Sequence, residues 1–265
     1  MYRARSIAVV VPAYNEARHI ASMLTRLPQW VDRIFVVDDS SHDRTRAEAD
    51  SVNDPRVRIV AHTTNRGVGG AILTGYRHFQ ASKLDIAVVM AGDGQMDAAD
   101  LPALLDPIVE GTADYVKGNR FPHPDTPRRM PRVRLVGNLA LSFFTRLASG
   151  FRGVMDSQCG YTAVTHDLLS RIDFSSVYPR YGFPNDFLAH VHSAGGRLAQ
   201  VVVRPVYEGQ ASGINPLLAV LPLSYVLLRS GLMRRSREAA QASNGNGRSA
   251  HAGTGHRAAA HGRQT

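Results

Sequence analysis

The sequence contains a single cysteine, Cys159, among its 265 residues. One thiol cannot build an intramolecular disulfide framework or a cysteine-rich zinc module, and its isolation is typical of a protein in a reducing compartment. The apolar segment 7–11 follows the first methionine after only two arginines, which leaves no room for a signal-peptide core with a cleavage site. We therefore expect a cytoplasmic protein.

The sequence also lacks an apolar run as long as the roughly 20 residues that a membrane-spanning helix needs. Its densest apolar stretch, 217–228, holds twelve residues and includes Pro222, and Arg229 follows it directly. A short apolar segment next to arginines is typical of a helix in the interface of an anionic membrane. We predict such an interfacial segment at 217–235, and with it a protein peripheral to the inner face of the cell membrane. A core helix or a helix that forms a homodimer is the alternative.

Acidic residues are fewer than basic ones, 22 against 31, and the net charge of +9 is unevenly distributed. Residues 236–265 lack large apolar side chains, so we predict a disordered basic tail behind one folded domain at 1–235. Residues 117–134 carry six basic side chains against Asp125 alone. This basic stretch lacks the interleaved aromatic residues on which bases stack, so we expect a mobile loop that grips phosphates or lipid headgroups, and no nucleic-acid partner.

Short runs rich in valine and isoleucine alternate with helical patterns in the first half of the chain. The runs at 7–11, 34–37, 57–61 and 86–90 predict strands, and the segments 17–27, 45–52 and 68–82 predict helices. Continuous apolar strands separated by helices indicate a parallel sheet covered on both faces. We predict an α/β fold with a Rossmann-like, mostly parallel sheet flanked by helices. Strands become fewer after residue 113, and a helix is predicted at 136–147.

Polar residues follow the predicted strands at the edge where ligands of an open parallel sheet bind. Pro12–Glu16 follows the first strand, Asp38 and Asp39 follow the second, and Asp93–Asp97 follows the fourth. Adjacent carboxylates repel each other unless hydrogen-bond donors offset their charge, and a base or a ribose offers such donors. These three segments are our prediction for a ligand site.

Two of the motifs suit a diphosphate and its counterion. Asn65–Ala71 is a glycine-rich helix start, where free N–H groups and the helix dipole favour a phosphate, although its spacing is not the dinucleotide fingerprint. Asp93–Asp97 supplies the oxygen ligands that Mg²⁺ or Mn²⁺ prefers when it bridges a diphosphate. The alternative for the second motif is a surface turn that caps the next helix.

Six segments in this order resemble the family 2 glycosyltransferases with the GT-A fold, and among them the dolichol- or polyprenyl-phosphate hexose synthases: VVPAYNE, VVDDSSHDRT, NRGVGGAILTGY, VVMAGDGQMD, KGNRF and DSQCGY. The resemblance implies a GT-A fold with a helical portion that faces the acceptor and the membrane. It implies an inverting transfer of a hexose from a UDP- or GDP-linked sugar to a polyprenyl or dolichyl phosphate. The alternatives are a soluble family 2 enzyme with a saccharide or small hydroxyl acceptor, and a non-catalytic module that binds nucleotide sugars.

The resemblance, taken with the motifs, also implies site residues. Mg²⁺ or Mn²⁺ would be held by Asp93 and Gln95, and since Ala91 stands where the family commonly has Asp, phosphate oxygens and water would complete its shell. The donor-binding residues would be Pro12, Tyr14, Glu16, Asp38, Asp39, Arg66, Gly69, Asp93 and Arg120.

The acceptor side follows from the same resemblance. Asp156 and Asp186 are the predicted catalytic residues, with Asp186 as general base for a hydroxyl acceptor. A phosphate acceptor is already an anion and needs no base, in which case both carboxylates would orient the sugar or the acceptor. A turn cap is the alternative for Asp156. The residues predicted to meet an acceptor phosphate are Arg128, Arg129, Arg132 and Arg204.

Overall fold

The computed structural model describes residues 1–151, 153–180, 182–206 and 224–232. The predicted tail 236–265 and most of the predicted interfacial segment 217–235 lie outside these residues. The strands in this part of the chain are β1 (Ile7–Ala13), β2 (Arg33–Asp38), β3 (Val57–Ala61), β4 (Ile86–Val89), β5 (Tyr115–Asn119), β6 (Thr162–Thr165) and β7 (Leu198–Val202). The helices are α1 (Ile20–Thr25), α2 (Thr45–Ser51), α3 (Gly67–Ser82), α4 (Leu101–Val109), α5 (Thr126–Arg129), α6 (Arg132–Ser149), α7 (His166–Ser170) and α8 (Phe183–Ser193), and residues 224–232 are also helical.

The strands form one mixed sheet in the order β3-β2-β1-β4-β6-β5-β7. β6 runs antiparallel to its neighbours β4 and β5, and the other pairs are parallel. The predicted α/β class, with a mostly parallel sheet flanked by helices, is confirmed. Because β6 is antiparallel, its first residue, Thr162, lies beside Val89 at the carboxyl end of β4. The residues just before β6 therefore join the edge at which the parallel strands end.

β1 lies inside the sheet, and both of its faces are buried. Ile7, Val9 and Val11 pack with α1 and α4, whereas Ala8 and Val10 pack with α3, α7 and α8. Successive strand side chains point to opposite faces, so a strand covered on both sides needs a continuous apolar sequence. This is why the run at 7–11 shows no alternation of apolar and polar residues.

α6 is longer than the predicted helix at 136–147, and its first residues belong to the stretch that was predicted to be a loop. It begins directly after Pro131 and ends at Gly150, which adopts φ +89°. The mobile loop predicted over 117–134 is wrong in its extent, because that stretch holds the end of β5, all of α5 and the start of α6. Within the described ranges, no helix combines the length and the apolar character that crossing a membrane requires.

Candidate active site

The polar segments predicted to meet at the carboxyl edge of the sheet do interlock there. The backbone N–H of Asn15, after β1, donates to Ser41 Oγ after β2 over 3.0 Å. The N–H of Gly92, after β4, donates to the Pro12 carbonyl over 3.1 Å. Pro12 itself is buried within β1, so it supports this edge from inside the sheet. The three segments therefore form one connected surface.

Each of these segments contains a residue in the left-handed region. Asn15 has φ +57°, Ser40 has φ +65° and Gly94 has φ +72°. This conformation costs serine more free energy than asparagine, and glycine adopts it freely. Strained backbone of this kind concentrates at ligand sites, because it aims side chains that a relaxed loop would leave elsewhere.

Acidic side chains are concentrated between the first and third of these segments. Partial burial, followed by the charges of Asp93 and Asp43, raises the pKa of the Glu16 carboxyl to about 7. A carboxyl resists ionisation in this way where negative charge is already present nearby. A divalent cation bound at this position would relieve the repulsion.

Asp93 and Gln95 lie on the turn at Gly94, where the Gln95 N–H donates to Asp93 Oδ1 over 2.9 Å. No group of three or more His, Cys, Asp or Glu side chains among the described residues is arranged to hold a metal ion. Mg²⁺ in enzymes that act on phosphates is held by one or two carboxylates, substrate phosphates and several waters. The oxygen donors of Asp93 and Gln95, with Glu16 nearby, fit such an ion and do not form an all-protein cage.

Asp39 is engaged by the protein itself. Its carboxylate accepts from the backbone N–H groups of Arg66 and Gly67, each over 2.8 Å, and lies 2.7 Å from His62 Nδ1. The donors that offset its charge are therefore the free amides at the start of α3, and these contacts disfavour the predicted contact of Asp39 with a base or ribose. Asp38, which accepts from the Ser41 N–H over 3.1 Å, stays the prediction for that contact.

The diphosphate site predicted at the glycine-rich start of α3 is disfavoured for the same reason. The Gly70 N–H donates to the Pro179 carbonyl over 2.7 Å. A Cβ added at Gly69 would lie 2.6 Å from that carbonyl oxygen and 2.7 Å from Phe183 Cβ. This close approach explains the glycine at position 69, and its contact with a donor phosphate stays a prediction. The Arg66 side chain is exposed, and its contact with a donor phosphate stays a prediction.

Asp156 is fully buried and forms a two-pronged ion pair with Arg120. Arg120 Nε donates to Asp156 Oδ2 over 2.7 Å, and its Nη2 donates to Oδ1 over 2.9 Å. Burial acts to raise the pKa of Asp156, but Arg120 and Lys117 beside it hold that pKa below its usual value. Arg120 thus pairs with a carboxylate of the protein, and the negative charge of Asp156 is balanced by this pair. The contact of Arg120 with a donor phosphate stays a prediction.

Asp186 lies in the first turn of α8 and is also fully buried. Its Oδ2 accepts from the Tyr178 N–H over 2.8 Å and lies 3.4 Å from His190 Nε2 and 3.8 Å from Arg229 Nη1. A general base must reach the proton that it removes, directly or through one water. The predicted role of Asp186 as a base for an acceptor in solvent does not fit this geometry.

The four arginines predicted for an acceptor phosphate divide into two groups. Arg128, Arg129 and Arg132 are exposed on α5 and at the start of α6, and we call them the basic cluster. Arg204 Nη1 lies 3.4 Å from Asp97 Oδ2 beyond β4, and Arg129 Nε lies 3.7 Å from Asp125 Oδ2. The contacts of these four arginines with an acceptor phosphate stay predictions.

Buried polar residues of the second half were missed from the sequence. Lys117 was assigned to the exposed basic stretch, but it is fully buried, its Nζ donates to the Cys159 carbonyl, and burial lowers its pKa. Ser142 and Thr145 are buried on the inner side of α6. Their spacing of three residues, with Ser149 four residues further on, was the available signal for a polar face on that helix.

With this geometry in hand, comparison with known proteins places the chain in a family. The chain belongs to glycosyl transferase family 2, whose model matches residues 8–173. The chain is therefore a glycosyltransferase, as the resemblance implied.

Two relatives illustrate the similarity. The chain is 31% identical over 229 residues to the UDP-N-acetylglucosamine--dolichyl-phosphate N-acetylglucosaminyltransferase of Methanococcus voltae, with 80% of this chain and 91% of the relative covered. It is 32% identical over 216 residues to the undecaprenyl-phosphate mannosyltransferase of Micrococcus luteus, with 78% and 88% covered.

Solved structures agree on the fold. Glucosyl-3-phosphoglycerate synthase from Mycobacterium tuberculosis in complex with UDP matches with a TM-score of 0.67 at 22% identity, with 86% of this chain and 80% of that chain covered. Another crystal structure of that synthase contains Mn²⁺, UDP and glucosyl-3-phosphoglycerate. The predicted GT-A fold is confirmed.

Proposed function

We propose that this protein transfers a hexose from a UDP- or GDP-linked sugar to a polyprenyl phosphate. Its relatives are named for dolichyl phosphate and undecaprenyl phosphate. The observation that carries the proposal is that Asp156 and Asp186, the carboxylates expected to act on the acceptor, are both fully buried. A phosphate acceptor is an anion and needs no base, so it suits a site in which these groups are closed.

The proposed reaction is a single displacement at C1 of the sugar. An oxygen of the acceptor phosphate forms a bond to C1 while the bond from C1 to the donor diphosphate breaks. The nucleoside diphosphate leaves, no proton is transferred, and attack opposite the leaving group inverts C1. In this scheme Asp156 and Asp186 act as positioning residues that hold their segments in place.

We propose that the donor lies on the surface formed by the segments after β1, β2 and β4. Tyr14 is exposed there and Asp38 is close by, so these two would contact the nucleoside. Asp93 and Gln95 would hold Mg²⁺ or Mn²⁺, which neutralises the charge that develops on the leaving diphosphate. The presence of Mn²⁺ with UDP in a structure of the same fold supports this arrangement.

The place of action follows from the acceptor. A polyprenyl phosphate is anchored in a bilayer, so we propose that the domain 1–235 works as a peripheral protein on the inner face of the cell membrane. The basic cluster would meet the phosphate of the lipid, because arginine pairs with phosphate through parallel hydrogen bonds.

The test supplies the full chain with UDP- and GDP-linked hexoses that carry a radiolabel, with undecaprenyl phosphate in detergent and with Mn²⁺. We expect the label from one donor to enter the organic phase, and proton NMR of the product to show the anomeric configuration opposite to that of the donor. If the label from every donor stays in water, the proposed transfer to polyprenyl phosphate is overturned. Such a result with tight donor binding would favour a non-catalytic module.

A second candidate function is transfer to a hydroxyl acceptor, which one observation favours. The pKa of Glu16 is raised to about 7, so this carboxyl has the proton affinity of a general base near neutral pH. However, the charges that help to raise it belong to Asp93 and Asp43, which place Glu16 on the donor side of the site. We therefore rank hydroxyl transfer second.

A further inference from the structure

α6 carries its large apolar side chains on the side that faces away from the protein. Five of them are between 43% and 66% exposed: Val136, Leu139, Phe143, Phe144 and Leu147. All but Phe144 recur at the spacing i, i+3, i+7 and i+11, which is one stripe along a helix, and Phe144 borders that stripe. We call these five residues the outer stripe of α6.

The opposite side of α6 is buried and polar. Ser142, Thr145 and Ser149 are all buried against the protein. A helix on the surface of a soluble domain normally buries its large apolar residues and turns its polar ones to water. α6 has largely the reverse arrangement, so about half of the surface of each outer-stripe side chain stays exposed in this domain.

The buried hydroxyls hold the segments of both acceptor-side carboxylates. Ser142 Oγ accepts from the Ser157 N–H over 2.9 Å, and Ser157 follows Asp156 in the chain. Thr145 Oγ1 accepts from Asn185 Nδ2 over 2.6 Å, and Asn185 precedes Asp186. The inner side of α6 is therefore fixed to the candidate site, while its outer side is left for a partner.

The charge around the outer stripe is of one sign. The helix has no aspartate or glutamate, and Arg132 stands one turn before Val136 at the start of the stripe. The exposed Arg128 and Arg129 lie just before the helix. An apolar stripe that ends in arginines matches the boundary between acyl chains and anionic headgroups.

The helix at residues 224–232 also exposes apolar side chains. Residues 224–232 expose Tyr225, Leu228 and Leu232. Arg229 in the same helix lies 3.8 Å from Asp186 in the first turn of α8, next to the residue that Thr145 holds. Two helices with exposed apolar residues thus pack around the same turn of α8.

We propose that the outer stripe of α6 docks on an anionic lipid bilayer, with its apolar side chains among the acyl chains and the basic cluster at the headgroups. This inference deepens the proposed function and rests on it for the reason why such docking is needed: the acceptor phosphate would lie at the membrane surface. A second copy of the chain is a poorer occupant, because α6 offers no acidic residue to pair with the arginines of another α6.

The test is flotation of the full chain with vesicles of equal parts phosphatidylglycerol and phosphatidylcholine. We expect the double variant Phe143→Ser, Leu147→Ser to need at least about tenfold more lipid for half-maximal binding than the unsubstituted protein. Val202→Ser is the matched control, because it removes an exposed apolar side chain from β7 and leaves α6 intact. Arg132→Gln should weaken binding about fivefold on these vesicles and leave binding to pure phosphatidylcholine unchanged.

Docking and transfer are measured separately, so that the docking inference and the proposed function can be overturned independently. Farnesyl phosphate is soluble in water and reports transfer without a bilayer, and we expect the double variant to retain transfer to it. Docking by α6 is overturned if the unsubstituted chain does not float, or if the double variant floats equally well. It is also overturned if sedimentation shows that the unsubstituted chain and the Val202→Ser control are dimers whereas the double variant is a monomer. Flotation through α6 without transfer to any prenyl phosphate would leave docking in place and remove the proposed function.

Discussion

The two halves of this sheet bury different kinds of residue. We call residues 1–113 the donor region and residues 115–206 the acceptor region. In the donor region polar groups are buried at the ends of strands, as Asp39 and His62 are, and the interior is apolar. In the acceptor region charged groups lie inside, with Lys117 and Asp156 among the fully buried residues.

The difference teaches how each side of the site is prepared. The donor region presents half-buried carboxyl and amide groups, such as Glu16 and Gln95, on a rigid edge. The acceptor region holds its carboxylates in ion pairs and hydrogen bonds, which fix segments in place. In the proposed reaction, chemistry with the donor therefore depends on partly exposed groups, whereas the acceptor side depends on how its segments are positioned.

Removal of Asp93, the proposed metal ligand, gives the largest expected effect. Asp93→Ala should lower sugar transfer at least about a hundredfold at saturating Mn²⁺, because the charge of the leaving diphosphate loses its partner. The matched control is Asp97→Ala in the same loop, where Oδ1 accepts from the Ala99 N–H over 3.0 Å and Oδ2 pairs with Arg204 over 3.4 Å, so that this carboxylate is not assigned to the metal. Initial rates of both variants measure the effect, and equal losses would mean that the loop acts through its fold alone.

Breaking the buried ion pair is next in size and belongs to the acceptor region. Asp156→Ala leaves Arg120 and Lys117 without their counter-charge, so it should lower the free energy of unfolding by about 3 to 5 kcal/mol. Asp167→Ala removes an exposed pair with Arg171, 3.0 Å apart, and should cost less than about 1 kcal/mol. Urea unfolding of both variants measures the two losses of stability. If both losses are below about 1 kcal/mol, the buried pair does not stabilise the fold.

A matched pair of glycines compares the regions directly. Gly69→Ala should cost about 1 to 3 kcal/mol, since its Cβ would clash with Pro179 and Phe183. Gly137 in α6 has nothing within 4 Å of an added Cβ, so Gly137→Ala should gain about 0.5 to 1 kcal/mol from helix propensity. Thermal and urea unfolding measure both changes. A stabilising Gly69→Ala would disprove the close approach at the start of α3.

The smallest effect depends on pH. The pKa of Glu16 is raised to about 7 from 4.5, so its ionisation opposes folding, and this cost grows as the pH rises from about 4.5 to about 7 and is constant above that. Because this side chain is half exposed, solvent screening reduces the effect, and Glu16→Gln should gain about 1 kcal/mol at pH 8 and nothing at pH 4.5. Urea unfolding without metal at both values measures the gain. An equal gain at both would place its cause outside ionisation.

The sequence was enough to predict the layout of the donor region. Apolar runs such as 7–11 are buried on both sides, so the parallel sheet and the edge that carries Glu16 and Asp93 could be expected from periodicity and topology. The hydrogen-bond partners of Asp39 could not be predicted from the sequence, because they depend on how closely α3 approaches β2. The same holds for Asp156 and Arg120, which are 36 residues apart and are paired by the fold alone.

The central claim is that the acceptor is a phosphate and not a hydroxyl. The direct measurement incubates the full-length protein with its donor sugar, Mn²⁺ and one of two acceptors, farnesyl phosphate or farnesol. The two acceptors have the same prenyl chain and differ only in the attacking group. We predict transfer to farnesyl phosphate and none to farnesol, because the buried Asp156 and Asp186 provide no base for an alcohol. Transfer to farnesol at a comparable rate would contradict the claim and would favour Glu16 as a general base.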